Sequence, residues 1–268
     1  MALDEEAAKT TPANDAFAQL AGLARETSSI ELSVLVSPIT FRHPAVLVKN
    51  AVTIDEMSGG RFTLGIGAGW MDREHEVFGL DYPSRNIRFE MLEEALGYVS
   101  AALAAEPTGF KGKHYELEPF PLAPQPAGTV KIVVGGTGSH KTPYLAGTYA
   151  DEFNVYPGPN LEQRIERAQQ AAEDAGRDPN ALLLSSAGFV LAAPTREDLE
   201  KALDERAADT GMTRDELDEY HAKRNTPVAT YDELTDQFAE MERAGITRFY
   251  FQGGLDPRNQ ELIDALSE

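Results

Sequence analysis

Three glycine-rich turns are the segments of this sequence most suited to chemistry. They read Gly-Ile-Gly-Ala-Gly-Trp at 65–70, Gly-Gly-Thr-Gly-Ser-His at 135–140 and Gln-Gly-Gly at 252–254. Each follows a short apolar run that is typical of a buried strand. Because glycine has no Cβ, its backbone N–H groups can approach a flat ring or a phosphate closely. These turns are therefore the first candidates for contact with a ligand.

The turn at 135–140 opens directly into a predicted helix. Ser139 is placed to act as the N-cap, and the N–H groups and dipole of the helix would then favour a phosphate. A tight turn between strand and helix is the structural alternative. The turn at 65–70 has the Gly-x-Gly-x-Gly pattern but lacks the later spacing and the acidic ribose partner of a dinucleotide-binding motif, so we reject a Rossmann interpretation.

Side chains offer few other sources of chemistry. The sequence contains no cysteine, which excludes disulfides, thiolate ligands and thiol nucleophiles. It also contains no His-x-x-His or His-Glu-x-x-His pattern, so no metal site is expected. A reaction must therefore use other side chains or a bound cofactor.

Five histidines remain as candidate acids, bases or ligands. His43 precedes a proline at a helix start, where a structural role is expected. His75 lies in a charged segment and faces either substrate or water, whereas His140 is close enough to the candidate phosphate turn to donate to it. His114 and His221 are expected at the surface.

The charge of the chain limits its partners. Its 268 residues carry 44 acidic and 24 basic side chains, which give a formal net charge of −20. This surplus opposes nucleic acid and anionic membranes as partners. No apolar run is long enough to span a membrane and no signal peptide is visible, so we expect a soluble, cytoplasmic protein.

Short apolar runs alternate with amphipathic segments over the whole chain. The predicted strands cover 30–36, 61–67, 130–134, 152–156, 182–192 and 246–252, and the predicted helices cover 15–26, 44–57, 84–105, 140–150, 161–176 and 230–244. This order predicts an α/β fold with a parallel sheet. Within one domain spanning 1–268, we expect 111–126 to form a hairpin or surface excursion and 195–225 a helical insertion.

The number of predicted strands is too small for a closed barrel. An eight-stranded (β/α) barrel needs about 250 residues. Six strands are found here, and the two interrupting segments take up part of the length. The sequence therefore predicts an incomplete barrel or an open sheet.

One long segment resembles a known family. The string SPITFRHPAVLVKNAVTIDEMSGGRFTLGIGAGW at 37–70 is similar to the bacterial luciferase-like flavin and deazaflavin oxidoreductases, in which a strand, an Arg-His-Pro motif, a helix, a Ser-Gly-Gly-Arg motif and a strand ending in Gly-x-Gly-x-Gly-Trp follow in this order. The segments GKHYEL, IVVGGTG, YADEFNV and AGITRFYFQ continue the family order. The resemblance covers about residues 15–268.

The resemblance implies a TIM-type barrel, with about six of its strands present here, that holds FMN or the deazaflavin coenzyme F420 at the carboxyl ends of the strands. Val34 and Leu35, in a bulged or cis-peptide segment, would then lie behind the cofactor ring, and other positions would surround it. The implied cofactor-binding residues beside the ring are Gly67, Ala68 and Gly69, those at the phosphate are Gly135, Gly136, Thr137 and Gly138, and the candidate substrate-pocket residues are Trp70, His75 and Asn154.

The same resemblance favours F420 slightly over FMN. With F420, the implied reaction is hydride transfer to or from a small organic substrate, and with FMN it is monooxygenation. In either case the cofactor carries out the chemistry, and the protein binds it, orients it and excludes water. Trp70 is interpreted as a roof of the substrate pocket or as a core or interface residue.

The amino end departs from the family pattern. Members begin with a strand, a helix and a second strand that ends in an acid-His pair, whereas this sequence is polar until Ala16. We therefore expect the first two barrel strands and the proton donor to be absent, and no catalytic residue is identified. A start placed too late, a short homologue that binds flavin without catalysis and closes its edge as a homodimer, and a degenerate product are the three explanations.

The charge composition also predicts how stability depends on salt. Acidic residues outnumber basic ones by 20, a pattern that suits a salt-adapted protein whose carboxylates repel one another in dilute buffer. An ordinary acidic cytosolic protein is the alternative. We expect the melting temperature, followed by circular dichroism, to rise steeply between dilute buffer and molar KCl. A melting temperature that does not change with KCl would contradict this interpretation.

Overall fold

A computed structural model describes residues 14–158, 160–224, 226–252 and 257–266. Its elements, in chain order, are α1 (Ala16–Glu26), β1 (Leu32–Pro38), α2 (Pro44–Ser58), β2 (Phe62–Gly67), α3 (Asp72–Phe78), α4 (Arg85–Ala102), β3 (Phe110–Lys111), β4 (Glu116–Leu117), β5 (Lys131–Gly136), α5 (Lys141–Tyr149), β6 (Glu152–Val155), α6 (Leu161–Asp174), β7 (Leu183–Gly188), β8 (Leu191–Ala193), α7 (Arg196–Thr210), α8 (Arg214–Arg224), β9 (Val228–Thr230), α9 (Tyr231–Arg243), β10 (Ile246–Phe251) and α10 (Pro257–Leu266).

Six strands form the main sheet of the described chain, in the order β1-β2-β5-β6-β7-β10. The pairs β1–β2, β2–β5 and β7–β10 are parallel. These six strands are the ones that the sequence predicts, and helices lie between them in the chain. The predicted α/β class with six strands is therefore confirmed.

One predicted strand is wrong in its extent. The sequence predicts a single strand over 182–192, but β7 ends at Gly188 and the chain then enters a separate parallel pair, β8–β9. Leu191 donates its N–H to Pro227 O at 2.9 Å, which begins the new pairing. The sequence does not reveal such a change of partner, because residues typical of strands continue from β7 into β8.

The chain divides into two compact units. The first contains the described residues up to Phe153 together with Arg167–Leu182, and the second contains Asn154–Glu166 together with the described residues from Leu183 onward. The single domain predicted over 1–268 stays a prediction. None of the described helices combines the length and the apolar composition that a membrane span requires.

A buried and a half-buried polar residue, Asp55 and Arg61, fix the chain around the turn between α2 and β2. Asp55 is fully buried, and its carboxylate accepts the backbone N–H of Gly128 at 3.1 Å. The guanidinium of Arg61 donates to Thr27 O at 2.9 Å and to Ala24 O at 3.2 Å. Since these are carbonyls of the last turn and C-cap of α1, Arg61 fixes the end of that helix against the start of β2.

The segment predicted as a hairpin or surface excursion contains an antiparallel hairpin, β3–β4. The carboxylate of Glu94 in α4 accepts three backbone N–H groups from its turn, those of His114 at 2.7 Å, Lys113 at 2.9 Å and Tyr115 at 3.2 Å. The fit is tight, because a Cβ on Gly112 would lie 2.2 Å from Glu94 Oε2. Burial alone would raise the pKa of Glu94, but the three N–H groups outweigh it and the pKa is lowered.

Replacement of Glu94 by Gln should reduce the free energy of unfolding at pH 7 by about 1–2 kcal/mol, because the three N–H groups lose a charged acceptor. A carboxyl whose pKa is lowered in the folded state stabilises the fold above its unfolded pKa, near 4.5, and this contribution is lost as the pH falls through the folded pKa. The difference between wild type and E94Q should therefore shrink below about pH 4.5 in urea titrations.

Glu106→Gln is the control, since Glu106 is exposed and its carboxylate makes no contact of this kind. Its unfolding free energy should stay within about 0.5 kcal/mol of wild type at every pH. An E94Q protein that loses no stability at pH 7 would show that the N–H groups of the turn do not need the charge.

Candidate functional site

The carboxyl end of β1 is bulged. The strand pairs with β2 in register as far as Val34, and the register shifts before Ser37. The peptide bond between Leu35 and Val36 is cis. The family resemblance predicts a bulge or a cis peptide in this strand, and both are present.

The bulge explains two of the glycines in β2. A Cβ on Gly65 would lie 2.0 Å from Val34 O, and a Cβ on Gly67 would lie 2.6 Å from Val36 Cγ2. Contacts this short do not occur, so glycine is required at both positions by the packing of β1 against β2. Ligand approach is therefore not needed to explain Gly65 or Gly67, and the predicted contact of Gly67 with a cofactor stays a prediction.

The loop after β2 contains the other predicted ring contacts. Gly69 has a positive φ of 76°, and a Cβ on it would lie 3.2 Å from Thr40 Oγ1 and 3.3 Å from Pro38 Cβ. Ala68 is half-buried. Trp70 is 77% exposed, which excludes the core alternative and leaves a ligand or an interface as the role of its ring.

His75 is buried within the helix α3, so of the two predicted surroundings, substrate or water, exposure to water is wrong. Its Nδ1 lies 2.7 Å from Met71 O, and its Nε2 lies 2.6 Å from Thr40 Oγ1. Because a carbonyl only accepts, Nδ1 donates to Met71, and in the neutral ring Nε2 accepts the Thr40 hydroxyl. The ring also contacts Phe41 at 4.9 Å and Tyr82 at 4.5 Å between centroids.

These contacts give His75 a positioning role. Its ring joins the loop that follows β1 to the segment that contains α3, and both ring nitrogens already have protein partners. The predicted place of His75 in a substrate pocket stays a prediction, but its nitrogens do not face solvent. The usual signal of a buried helix face, apolar residues that repeat every 3.6 positions, does not reveal this burial, because most neighbours of His75 in α3 are charged and exposed.

The turn after β5 has the form of an anion cradle. Gly136 has a φ of 149°, and a Cβ on Gly138 would lie 2.5 Å from Thr142 Oγ1. The helix α5 that follows begins at Lys141, with His140 as N-cap and no side-chain hydrogen bond to its first turn. The first N–H groups of α5 therefore have no side-chain partner, which is the arrangement that binds anions.

The predicted N-cap at Ser139 is wrong, because the helix begins one residue later than the sequence suggests. The Ser139 carbonyl instead accepts a hydrogen bond from Arg167 Nη1 at 2.5 Å. His140, which the sequence places near the phosphate, is exposed at the start of the helix. Thr137 is also exposed, in the middle of the turn.

The second unit contains the predicted pocket residue Asn154. It is buried, and its Nδ2 donates to Ser185 Oγ in β7 at 2.9 Å. In β10, Arg248 lies in register with Ser185, and its Nη1 lies 3.3 Å from the hydroxyl of Tyr250. These four side chains form a polar face across β6, β7 and β10.

The opposite face of β10 is aromatic. Phe249 and Phe251 contact Phe238 of α9, with centroids 5.0 and 6.0 Å apart. Since the helix covers this face, the polar face is the one turned away from it. The alternation of side chains along Arg-Phe-Tyr-Phe at 248–251 could have revealed the two faces of β10 from the sequence. The bond between Asn154 and Ser185 could not be predicted in this way.

Two further histidines, His43 and His221, have surroundings that the structure defines. His43 caps α2, where its Nδ1 accepts the N–H of Ala45 at 3.1 Å, and its ring lies against Tyr98 and Tyr115. The structural interpretation of His43 is confirmed. The expected exposure of His221 is wrong, because it is only 7% exposed within α8.

Solved structures show which class of fold this is. An F420-dependent secondary alcohol dehydrogenase in complex with an F420-acetone adduct matches with a TM-score of 0.78 and 22% identity over 97% of this chain and 87% of its own. The oxygenating constituent of 3,6-diketocamphane monooxygenase from Pseudomonas putida, in complex with FMN, matches with a TM-score of 0.69 and 18% identity over 94% and 81%. The predicted fold of the TIM-barrel type is confirmed by these likenesses.

Comparison of the amino-acid sequence identifies the family within this fold class. The family model for luciferase-like monooxygenases matches residues 3–254. Pyrimidine monooxygenase RutA of Escherichia coli is 30% identical over 198 residues, which cover 70% of this chain and 52% of RutA. The chain belongs to the luciferase-like monooxygenase family. It spans about half the length of the curated relatives it matches.

The close contact between β1 and β2 can be tested by adding one methyl group. Gly65→Ala should reduce the free energy of unfolding by about 3 kcal/mol or more, because the new Cβ meets a backbone oxygen that cannot move without disturbing the bulge. Urea denaturation measures the change.

Gly22→Ala is the matched control. Gly22 lies within α1 with no atom near its Cβ position, so alanine should stabilise the protein by roughly 0.5–1 kcal/mol. If both substitutions had the same effect, the contact of β1 with Gly65 would not be the constraint described here.

Proposed function

We propose that this chain binds coenzyme F420 and transfers a hydride between it and a small organic substrate. The observation that carries the proposal is the turn at 135–138, where glycine geometry and an uncapped helix start form an anion cradle in a member of a family of redox enzymes. The likeness to the F420-dependent dehydrogenase, which extends over almost the whole chain, supports F420 as the cofactor.

The residues of the cradle suit a cofactor phosphate. Space beside Gly138 is limited by Thr142, so only a backbone without a side chain leaves the turn open. Lys141 lies in the first turn of α5 and adds a positive charge to the helix dipole. The backbone N–H groups of Gly135 and Gly136, at the end of β5, and of Thr137 and Gly138 after it would hold the phosphate.

The end of β1 and the loop after β2 would position the cofactor ring. Val34 and Leu35 would lie behind it, on a strand whose course is fixed by the contact with Gly65 and Gly67. Gly69 would lie beside the ring. The carbon that gives or takes the hydride belongs to the bound cofactor, so these residues orient the ring and exclude water from it.

The substrate would contact residues that lie outside the cradle. Trp70 offers an exposed ring next to Gly69, suited to covering a flat or apolar substrate. His75 would act through the loop that it anchors to Thr40. Asn154 would offer its amide oxygen and the second hydrogen of its amide nitrogen, since one hydrogen is bonded to Ser185.

FMN-dependent monooxygenation is the second candidate. The specific observation that favours it is the 30% identity to a pyrimidine monooxygenase. Flavin binding without turnover is the third possibility that the sequence left open. In each case the predicted homodimer is part of the proposal. β1 lies at the edge of the described sheet, where its unpaired backbone N–H and C=O groups can pair with a second copy of the chain. Sedimentation velocity measures whether the protein is a dimer.

Substitution of the exposed Thr137 tests the cradle without disturbing the fold. Thr137→Asp places a negative charge beside the phosphate, and we expect the affinity for F420 to fall by roughly tenfold or more. Thr137→Asn has nearly the same size without the charge and should bind within about threefold of wild type. Quenching of cofactor fluorescence measures both affinities.

The same titration decides between the cofactors. Binding of F420 with reduction by a secondary alcohol supports the proposed reaction, whereas binding of FMN alone would replace it with the monooxygenase candidate. Equal affinities of T137D and T137N would place the phosphate elsewhere. Binding of a cofactor without turnover on any donor would leave the non-catalytic homologue as the function.

A further inference from the structure

Arg164 is a buried cation with few partners. It lies in the first turn of α6 and is 5% exposed. Its Nη2 donates to Tyr156 O at 2.6 Å, and its Nε is buried without a hydrogen-bond partner. No carboxylate of the described residues lies within 4.0 Å of its guanidinium.

Other arginines of the chain show how such a charge is usually compensated. Arg88 occupies the same position in the first turn of α4 and also donates to a carbonyl, but its guanidinium lies 3.9 Å from the centroid of the Tyr82 ring. Arg177 donates to Gly147 O and lies 3.6 Å from the carboxylate of Asp151. Among the described residues, Arg164 has neither an aromatic face nor a carboxylate beside it.

An uncompensated guanidinium is costly to bury, because it gives up water without gaining a counter-charge. Burial accordingly lowers the pKa of Arg164 from its usual value. A guanidinium carries five N–H donors, and the described residues accept only one hydrogen bond from this one. The remaining donors match the two oxygens of a carboxylate or phosphate.

The position of the guanidinium adds a second attraction for an anion. Its bond to Tyr156 O places it beside the loop that joins β6 to α6, at the start of a helix of 14 residues. The N–H groups and dipole of the first turn favour negative charge there. The nearby acidic residues of the helix, Glu162 and Glu166, are exposed to solvent.

We propose that Arg164, together with the first turn of α6, binds an oxyanion group of the ligand, a carboxylate or a phosphate. This inference rests on the proposed function only in that the ligand is then the substrate or the cofactor of that enzyme. If the group belongs to the substrate, the substrate class is an organic acid or a phosphate ester.

Inorganic phosphate is the probe for this site, in a protein whose cradle is disabled by T137D. At about ten times its dissociation constant, phosphate should raise the melting temperature of T137D by roughly 3–5 °C relative to KCl of equal ionic strength. The double variant T137D/R164M should show no such rise. T137D/R177M, which loses an arginine that already has a carboxylate, should keep it.

Two further measurements keep the test decisive. R164K provides a second test in case R164M does not fold. It retains the positive charge but not the planar guanidinium, so its affinity for phosphate should fall roughly tenfold. Equal responses of T137D, T137D/R164M and T137D/R164K to phosphate would overturn the proposal and leave Arg164 as a tether of Tyr156.

Measurements of flavin affinity show whether the oxyanion belongs to the cofactor or to the substrate. If it is the cofactor phosphate, R164M should lose affinity for FMN and keep its affinity for riboflavin, which has no phosphate. If it belongs to the substrate, FMN affinity should be unchanged, and phosphate should still stabilise the FMN-saturated wild type but not R164M. A wild type that binds neither F420 nor FMN would end the proposed function, while the phosphate response would still test Arg164.

Discussion

The close approach of β1 to β2 is the contact on which the first unit depends. Val36 lies over the two glycines of β2, and the carbonyl of Val34 occupies the place where a side chain at position 65 would be. The bulge that results sets the direction in which the chain leaves β1. The next residues include Thr40, whose hydroxyl holds the buried ring of His75, so the packing of two strands fixes a loop and a helix beyond them.

Local patterns in the sequence, namely apolar runs and glycines, predict much of this architecture. The six strands of the main sheet and the turns that follow them depend on runs of apolar residues and on glycine, both of which are visible in the sequence. The burial of His75, the change of partner after Gly188 and the start of α5 at Lys141 depend on contacts between distant residues, which periodicity does not record. The errors lie where such contacts decide the structure.

The candidate site was predicted less completely than the fold, for a related reason. The glycines at 65 and 67 are explained by strand packing, and the arginine of the Ser-Gly-Gly-Arg motif is explained by its bonds to the end of α1. Much of the segment that resembles the family therefore records how the fold is built. The cradle at 135–138 carries the functional argument, and Arg164 escaped sequence reasoning because one arginine in a charged helix looks like a solvated residue.

The charge of the chain bears on both proposed anion sites, the turn at 135–138 and Arg164. A protein with a net charge of −20 repels an anionic ligand at long range, but the Debye length falls from about 10 Å in 0.1 M salt to about 3 Å in 1 M salt. Short-range attraction at a buried guanidinium is screened much less, because water and ions do not surround it. Salt therefore removes the repulsion of the surface and leaves the attraction at Arg164 largely intact, whereas the exposed turn at 135–138 loses part of its attraction to screening.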